Sequence, residues 1–216
     1  MTDAKRFRAQ GHAAIDLLAD HLAAAAAGEG PVLPPGDPAA LCALFPPDFP
    51  ATAPPEDPVP GLLKRVLAHA NHLHHPRYVG HQVSAPLPVA ALGELTAGLL
   101  NNGMAVFEMG PAGVAIERAV LAWLRGALAL PEGADGFLTS GGSVGNLTAL
   151  AIARQRASGR DVWEEGLCGG EPLCILTSEQ THYSVQRAAR LLGLGAGGVI
   201  AVETDGAYRL RADALP

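Results

Sequence analysis

Apolar positions recur at helical spacing from the start of the chain. Between residues 5 and 27, Phe7, Ile15, Leu18 and Leu22 fall on one stripe, Ala23 to Ala27 extend it, and Gly28 is placed to end it. The pattern then stops. Residues 28–60 hold 11 of the 18 prolines, which predicts an extended connector, interrupted by a short helical turn near Ala39–Leu44. Helical spacing returns at Pro60–His72 through Leu62, Leu63, Val66 and Leu67, and again at Pro88–Leu100 and Val114–Leu130. Beyond residue 130 short apolar runs alternate with helical stretches. Gly136–Thr139, Leu173–Thr177 and Val199–Val202 read as strands, and Leu147–Arg156 and Tyr183–Leu192 as helices. This rhythm predicts an α/β domain with a mainly parallel sheet and flanking helices. The change of texture divides the chain into a helical arm with its proline-rich connector, 1–85, and an α/β domain, 86–216. Two helices joined by such a connector cannot bury both apolar faces alone, so they are expected to lie on the following domain or on another subunit.

Composition narrows the function classes. The chain has 216 residues, is 49% hydrophobic and 17% charged, and carries a net charge of −6. The acidic balance argues against nucleic acid as a partner. There is no apolar run of about 18 residues, so no membrane span is expected. The N-terminus lacks the apolar core of a secretion signal. Cys42, Cys168 and Cys174 show no paired-ligand spacing and read as free thiols of a cytoplasmic protein. Of fifteen basic residues only Lys5 and Lys64 are lysines, which confines lysine chemistry to two positions.

The densest chemical signal is Thr139-Ser140-Gly141-Gly142-Ser143-Val144-Gly145-Asn146-Leu147-Thr148, between a predicted strand and a predicted helix. Such a turn offers backbone N–H groups at the positive end of a helix dipole and suits a phosphate. The plainer reading is a tight turn capped by Ser143 or Asn146. No Gly-Lys-Ser/Thr ending and no G-x-G-x-x-G is present, which disfavours a nucleotide P-loop and a dinucleotide fold. His182 follows the next strand end on the same predicted rim. It reads either as a helix-capping histidine or as a ring stacked on a planar cofactor. His69, His72, His74 and His75 cluster without cysteines or carboxylates, so no metal is expected there.

These segments together resemble the pyridoxal-phosphate-dependent amino-acid decarboxylases of the glutamate, aromatic-L-amino-acid and diaminobutyrate group. The resemblance is carried by His75-Pro76-Arg77-Tyr78-Val79-Gly80-His81-Gln82, by Asn101-Asn102-Gly103-Met104 with Phe107-Glu108-Met109-Gly110-Pro111, by the glycine-rich turn, and by Thr181-His182-Tyr183-Ser184-Val185. They stand in the family's order and span nearly the whole chain. The resemblance implies a fold-type I large domain, truncated, preceded by a dimer-clasping helical arm. It implies pyridoxal 5'-phosphate as cofactor, held by Gly142 and Ser143, with His182 as the catalytic ring-stacking residue. His81 and Gln82 would line the substrate pocket, and Gly103 and Ala105 would lie near the partner subunit's site. For His81 the plainer reading is a polar loop residue, and for Gln82 a hydrogen bond to nearby backbone.

The implied activity is that of a carboxy-lyase converting an L-amino acid to its amine, in a homodimer. Two departures stand out. Val144-Gly145 replaces the family's Glu-Ala, and a glycine there costs about 1 kcal/mol against alanine. The family's pyridine-pairing aspartate and Schiff-base lysine fall beyond Pro216, and neither Lys5 nor Lys64 matches its lysine motif. The chain alone is therefore expected to be inactive, either awaiting a second chain with the C-terminal half or acting as a non-catalytic remnant in dimerisation or weak cofactor binding.

Overall fold

The computed structural model describes residues 3–45 and 57–215; the middle of the proline-rich connector lies outside them. The chain forms two compact units, Met1–Asn101 and Asn102–Pro216.

In the first unit, aspartates start three helices. The Asp3 carboxylate accepts the N–H groups of Lys5 and Arg6 and opens α1, Ala4–Ala26. Asp37 caps α2, Pro38–Ala43, and Asp57 caps α3, Pro58–Ala68. In both of these the next residue is proline, whose missing N–H costs nothing at that position. Gly28, at φ +78°, ends the first helix by donating to the Ala25 carbonyl. Asp57 also accepts from Gln10 Nε2 at 2.9 Å, which ties the start of α3 to α1. The Val59 N–H, and then Gln10, hold its carboxyl below the usual carboxylate range. Helix α3 stops at Ala68 rather than running to His72, because the His72 N–H takes the Val32 carbonyl at 2.8 Å. Helix α4, Pro88–Leu100, ends at Asn101 in the left-handed conformation. It groups with the first unit.

Three of the four clustered histidines bond to nearby carbonyls, while the buried Nε2 of His75 has no partner among the described residues. His69 Nδ1, His72 Nε2 and His74 Nε2 lie within 2.8–3.2 Å of the carbonyls of Arg65, Leu67 and Pro86. Buried His75 accepts the Arg77 N–H at Nδ1. Among the described residues no group of three or more His, Cys, Asp or Glu side chains is gathered as metal ligands. The His21 ring meets His72 edge-on, with ring centroids 4.8 Å apart. Burial, then the neighbouring His72 and His74, lower the His21 pKa. A base with a depressed folded pKa costs nothing while neutral and destabilises once the unfolded chain takes up a proton more readily. Stability of this unit should therefore hold above the ordinary imidazole value of about 6.5 and fall as the pH drops below it. Urea denaturation of His21→Phe between pH 8 and 5 should show a shallower loss on acidification than wild type; an unchanged profile would contradict this.

In the second unit a short 3-10 turn, Phe107–Met109, precedes α5, Pro111–Ala127, α6, Gly142–Ala157, and α7, Val162–Glu165. Strand β1, Ile175–Ser178, helix α8, Ser184–Leu191, and strand β2, Val199–Val202, form a β-α-β unit. The strands are parallel, in register from Ile175 opposite Val199 to Ser178 opposite Val202. Helix α6 packs on α8. The core holds Val162, Ala188, Ala189, Leu192 and Val202, and the small Ala188 and Ala189 leave room for a close approach. Arg154 of α6 donates to the Leu192 carbonyl at 2.8 Å, and Arg160 reaches the carbonyls of Glu165, Gly166 and Cys168. These two arginines bind carbonyls at helix and loop ends.

The expected strand at Gly136–Thr139 is not formed. Among the described residues it has no ladder partner. The Leu138 N–H goes instead to the Glu117 carboxylate at 2.8 Å, and the Gly136 N–H to Asp135. The sheet of the described residues thus has two strands, both parallel.

Candidate active site

The glycine-rich turn is itself the beginning of α6. The helix opens at Gly142, five residues before the sequence-based start at Leu147. Gly142 and Ser143 therefore sit in its first turn, where N–H groups have no partner inside the helix. No side chain caps this end, because the capping position is Gly141. The Gly141 carbonyl gathers the N–H groups of Val144 and Gly145, both at 3.1 Å, and the Thr139 hydroxyl at 3.1 Å. A Cβ built on Gly141 or Gly142 would meet nothing within 4 Å. The result is an open end of a 16-residue helix with no side-chain cap, whose Gly142 and Ser143 N–H groups have no acceptor among the described residues, a fitting cradle for a phosphate.

Gly145 lies further inside the same helix. A Cβ there would touch only Thr139 Oγ1, at 3.4 Å, an ordinary contact. Gly145→Ala should stabilise the second unit by about 0.5–1 kcal/mol through helix propensity. Urea unfolding followed by fluorescence checks this, since the two tryptophans, Trp123 and Trp163, both belong to this unit. A lower midpoint would show that Thr139 cannot give way.

His182 stands between the end of β1 and the start of α8. Its Nδ1 lies 2.8 Å from Ser184 Oγ and 3.3 Å from the Ser184 backbone N–H. Ser184 is 2% exposed and its hydroxyl also receives Asn146 Nδ2 at 2.8 Å. Asn146 is one turn into α6 from Gly142. One hydrogen-bonded chain thus joins the phosphate-type helix end to the histidine turn. The Tyr183 ring lies beside His182, with centroids 4.2 Å apart, and the Arg187 guanidinium lies over Tyr183 at 4.8 Å. At the strand ends, Glu179 accepts from the hydroxyl and N–H of Thr204 at 2.6 and 3.2 Å. These bonds lower its carboxyl below the usual range. The hydroxyls of Thr177 and Thr181 meet across the turn.

Of the residues singled out in the sequence, Gly142, Ser143 and His182 belong to the second unit and are linked as described. His81 and Gln82 belong to the first unit, in an exposed segment where the His81 carbonyl accepts the Val83 N–H at 2.6 Å. Gly103 backs onto Gly110, whose built Cβ would lie 2.7 Å from the Gly103 carbonyl oxygen. Asn146 and Ser184 were not among the expected site residues. In the sequence Asn146 reads only as a possible cap of the glycine-rich turn, and Ser184 lies two positions after His182.

A family model for the conserved domain of pyridoxal-dependent decarboxylases matches residues 38–216. The chain is 33% identical over 158 residues to an aromatic-L-amino-acid decarboxylase of Bacillus atrophaeus, covering 71% of this chain and 30% of that protein. The crystal structure of mouse CSAD superposes with a TM-score of 0.89 at 26% identity, covering 99% of this chain and 44% of that one. A structure of Oryza sativa TDC with PLP and tryptamine gives 0.83 at 25% identity, covering 97% and 44%. The chain therefore spans less than half the length of these relatives. Its fold is that of the N-terminal part of fold-type I decarboxylases, and the cofactor of the family is pyridoxal phosphate. The chain belongs to the pyridoxal-dependent decarboxylase family.

Proposed function

We propose that this chain supplies the phosphate-holding and ring-facing half of an amino-acid decarboxylase site. The observation that carries the reading is the uncapped start of α6, joined through Asn146 and Ser184 to His182. The Gly142 and Ser143 N–H groups, with the Ser143 hydroxyl, would hold the phosphate. His182 would face the pyridine ring and orient it, and His81 and Gln82 would meet the substrate amino acid. When bound, pyridoxal phosphate supplies the electron sink that lets a carboxylate leave as carbon dioxide. The protein's part is positioning and fixed charge. The N-terminal helices, with apolar residues such as Leu18, Leu62 and Val66 exposed, suit a clasp in a homodimer.

The only lysines, Lys5 in α1 and Lys64 in α3, are exposed and belong to the first unit. This favours reversible cofactor binding by the 216-residue chain alone. Titration with pyridoxal phosphate should give a dialysable complex, and borohydride should leave no adduct on Lys5 or Lys64. Adding a chain that carries the remaining length of the relatives should restore carbon dioxide release from an amino acid. A stable adduct on either lysine would overturn the assignment of roles. Cofactor binding without carbon dioxide release from the pair would favour a non-catalytic role, and no binding in either case would sink the reading.

A further inference from the structure

We propose that Asn146 and Ser184 are positioning residues that hold the His182 ring in one tautomer, with Nδ1 bare and the hydrogen on Nε2. The proposal rests on the reading of His182 as the ring-facing residue, and the directions of three hydrogen bonds carry it. The Ser184 backbone N–H points at His182 Nδ1 from 3.3 Å, and a backbone N–H only donates. Nδ1 is therefore an acceptor. Ser184 Oγ lies 2.8 Å from the same nitrogen, so its one hydrogen is directed there. The hydroxyl oxygen is then left as an acceptor, and Asn146 Nδ2 donates to it at 2.8 Å. Reversing the chain would set a ring N–H against the Ser184 N–H. Ser184 is 2% exposed, so water does not compete for its hydroxyl.

The consequence is mechanical as well as chemical. Asn146 sits on the helix whose first turn would hold the phosphate, so the ring and the anion cradle are held by one bonded assembly. Tyr183 beside the ring further limits its rotation. A ring of fixed plane and fixed donor nitrogen is what stacking on a planar cofactor requires, and second-layer hydrogen bonds are the usual means of fixing a histidine tautomer.

The test needs no cofactor and no turnover. The full 216-residue chain, labelled with nitrogen-15 at histidine, is examined by NMR at pH 8, with His182→Gln identifying the His182 signals. Wild type should show one pattern, Nε2 protonated and Nδ1 bare. Ser184→Ala, which leaves Nδ1 only the long 3.3 Å backbone N–H, and Asn146→Ala, which frees the Ser184 hydroxyl to turn, should each add a population of the other tautomer to that pattern, and Ser184→Thr should restore the single one. A wild-type ring protonated at Nδ1 overturns the proposal even if no variant folds. An unchanged pattern in folded Ser184→Ala overturns it as well. Adding pyridoxal phosphate is a separate arm: no movement of the His182 signals would count against the cofactor reading and leave the tautomer assignment standing.

Discussion

Gly198→Ala should cost the second unit about 3 kcal/mol, the upper end of what forcing one carbon into a filled space usually costs. A Cβ on Gly198 would lie 2.5 Å from the Leu194 carbonyl oxygen and 2.8 Å from Leu194 Cβ. The first of these is backbone and cannot rotate away. Gly198 also accepts the Ile175 N–H at 2.8 Å, the bond that opens the β1–β2 ladder. Relief of the clash must therefore move either the Leu194 loop or the start of β2. Gly197 is the matched control, because a Cβ there would meet nothing within 4 Å. Urea unfolding should show a much lower midpoint for Gly198→Ala than for Gly197→Ala. The Ile175 amide should also exchange faster in the former. Equal midpoints would show that the loop yields at little cost.

The readable parts of this fold are those fixed by local sequence. Pro88–Leu100 and Val199–Val202 lie where their apolar runs placed them, since each run is bounded by residues that stop its own pattern. Helix starts were read late wherever capping chemistry, not apolar spacing, sets them. Asp57-Pro58 and Pro111 open α3 and α5 two and three residues before the starts expected from apolar spacing, Pro60 and Val114. The Gly136–Thr139 run carries strand-like composition, but a ladder is non-local. Composition cannot say that Glu117 will take the Leu138 N–H. The same limit applies to the site. Gly142, Ser143 and His182 were legible as motif residues. The Asn146–Ser184 bond was not, because it spans 38 positions and depends on how closely α6 approaches α8.

Gly141→Ala tests whether backbone conformation, rather than any side chain, builds the anion cradle. Gly141 has φ +151° and ψ 165°, a region that only glycine enters freely. Space is not the obstacle, since a Cβ there meets nothing within 4 Å. An alanine must either hold the strained backbone, at about 1–3 kcal/mol, or turn away from it. If it turns away, its carbonyl leaves the N–H groups of Val144 and Gly145 and the Thr139 hydroxyl, all bound at 3.1 Å. The first turn of α6 then loses its start, and the Gly142 and Ser143 donors no longer converge. Both routes lower stability, and the second also weakens pyridoxal phosphate binding, by at least about tenfold if 1.4 kcal/mol of anion contact is lost. Gly145→Ala, in the same helix but past the cap, should raise stability and leave the cap geometry in place. Opposite signs from two glycine-to-alanine changes four residues apart would separate a glycine required for its conformation from one that is merely tolerated. If Gly141→Ala retains both stability and affinity, the phosphate is not held by this turn.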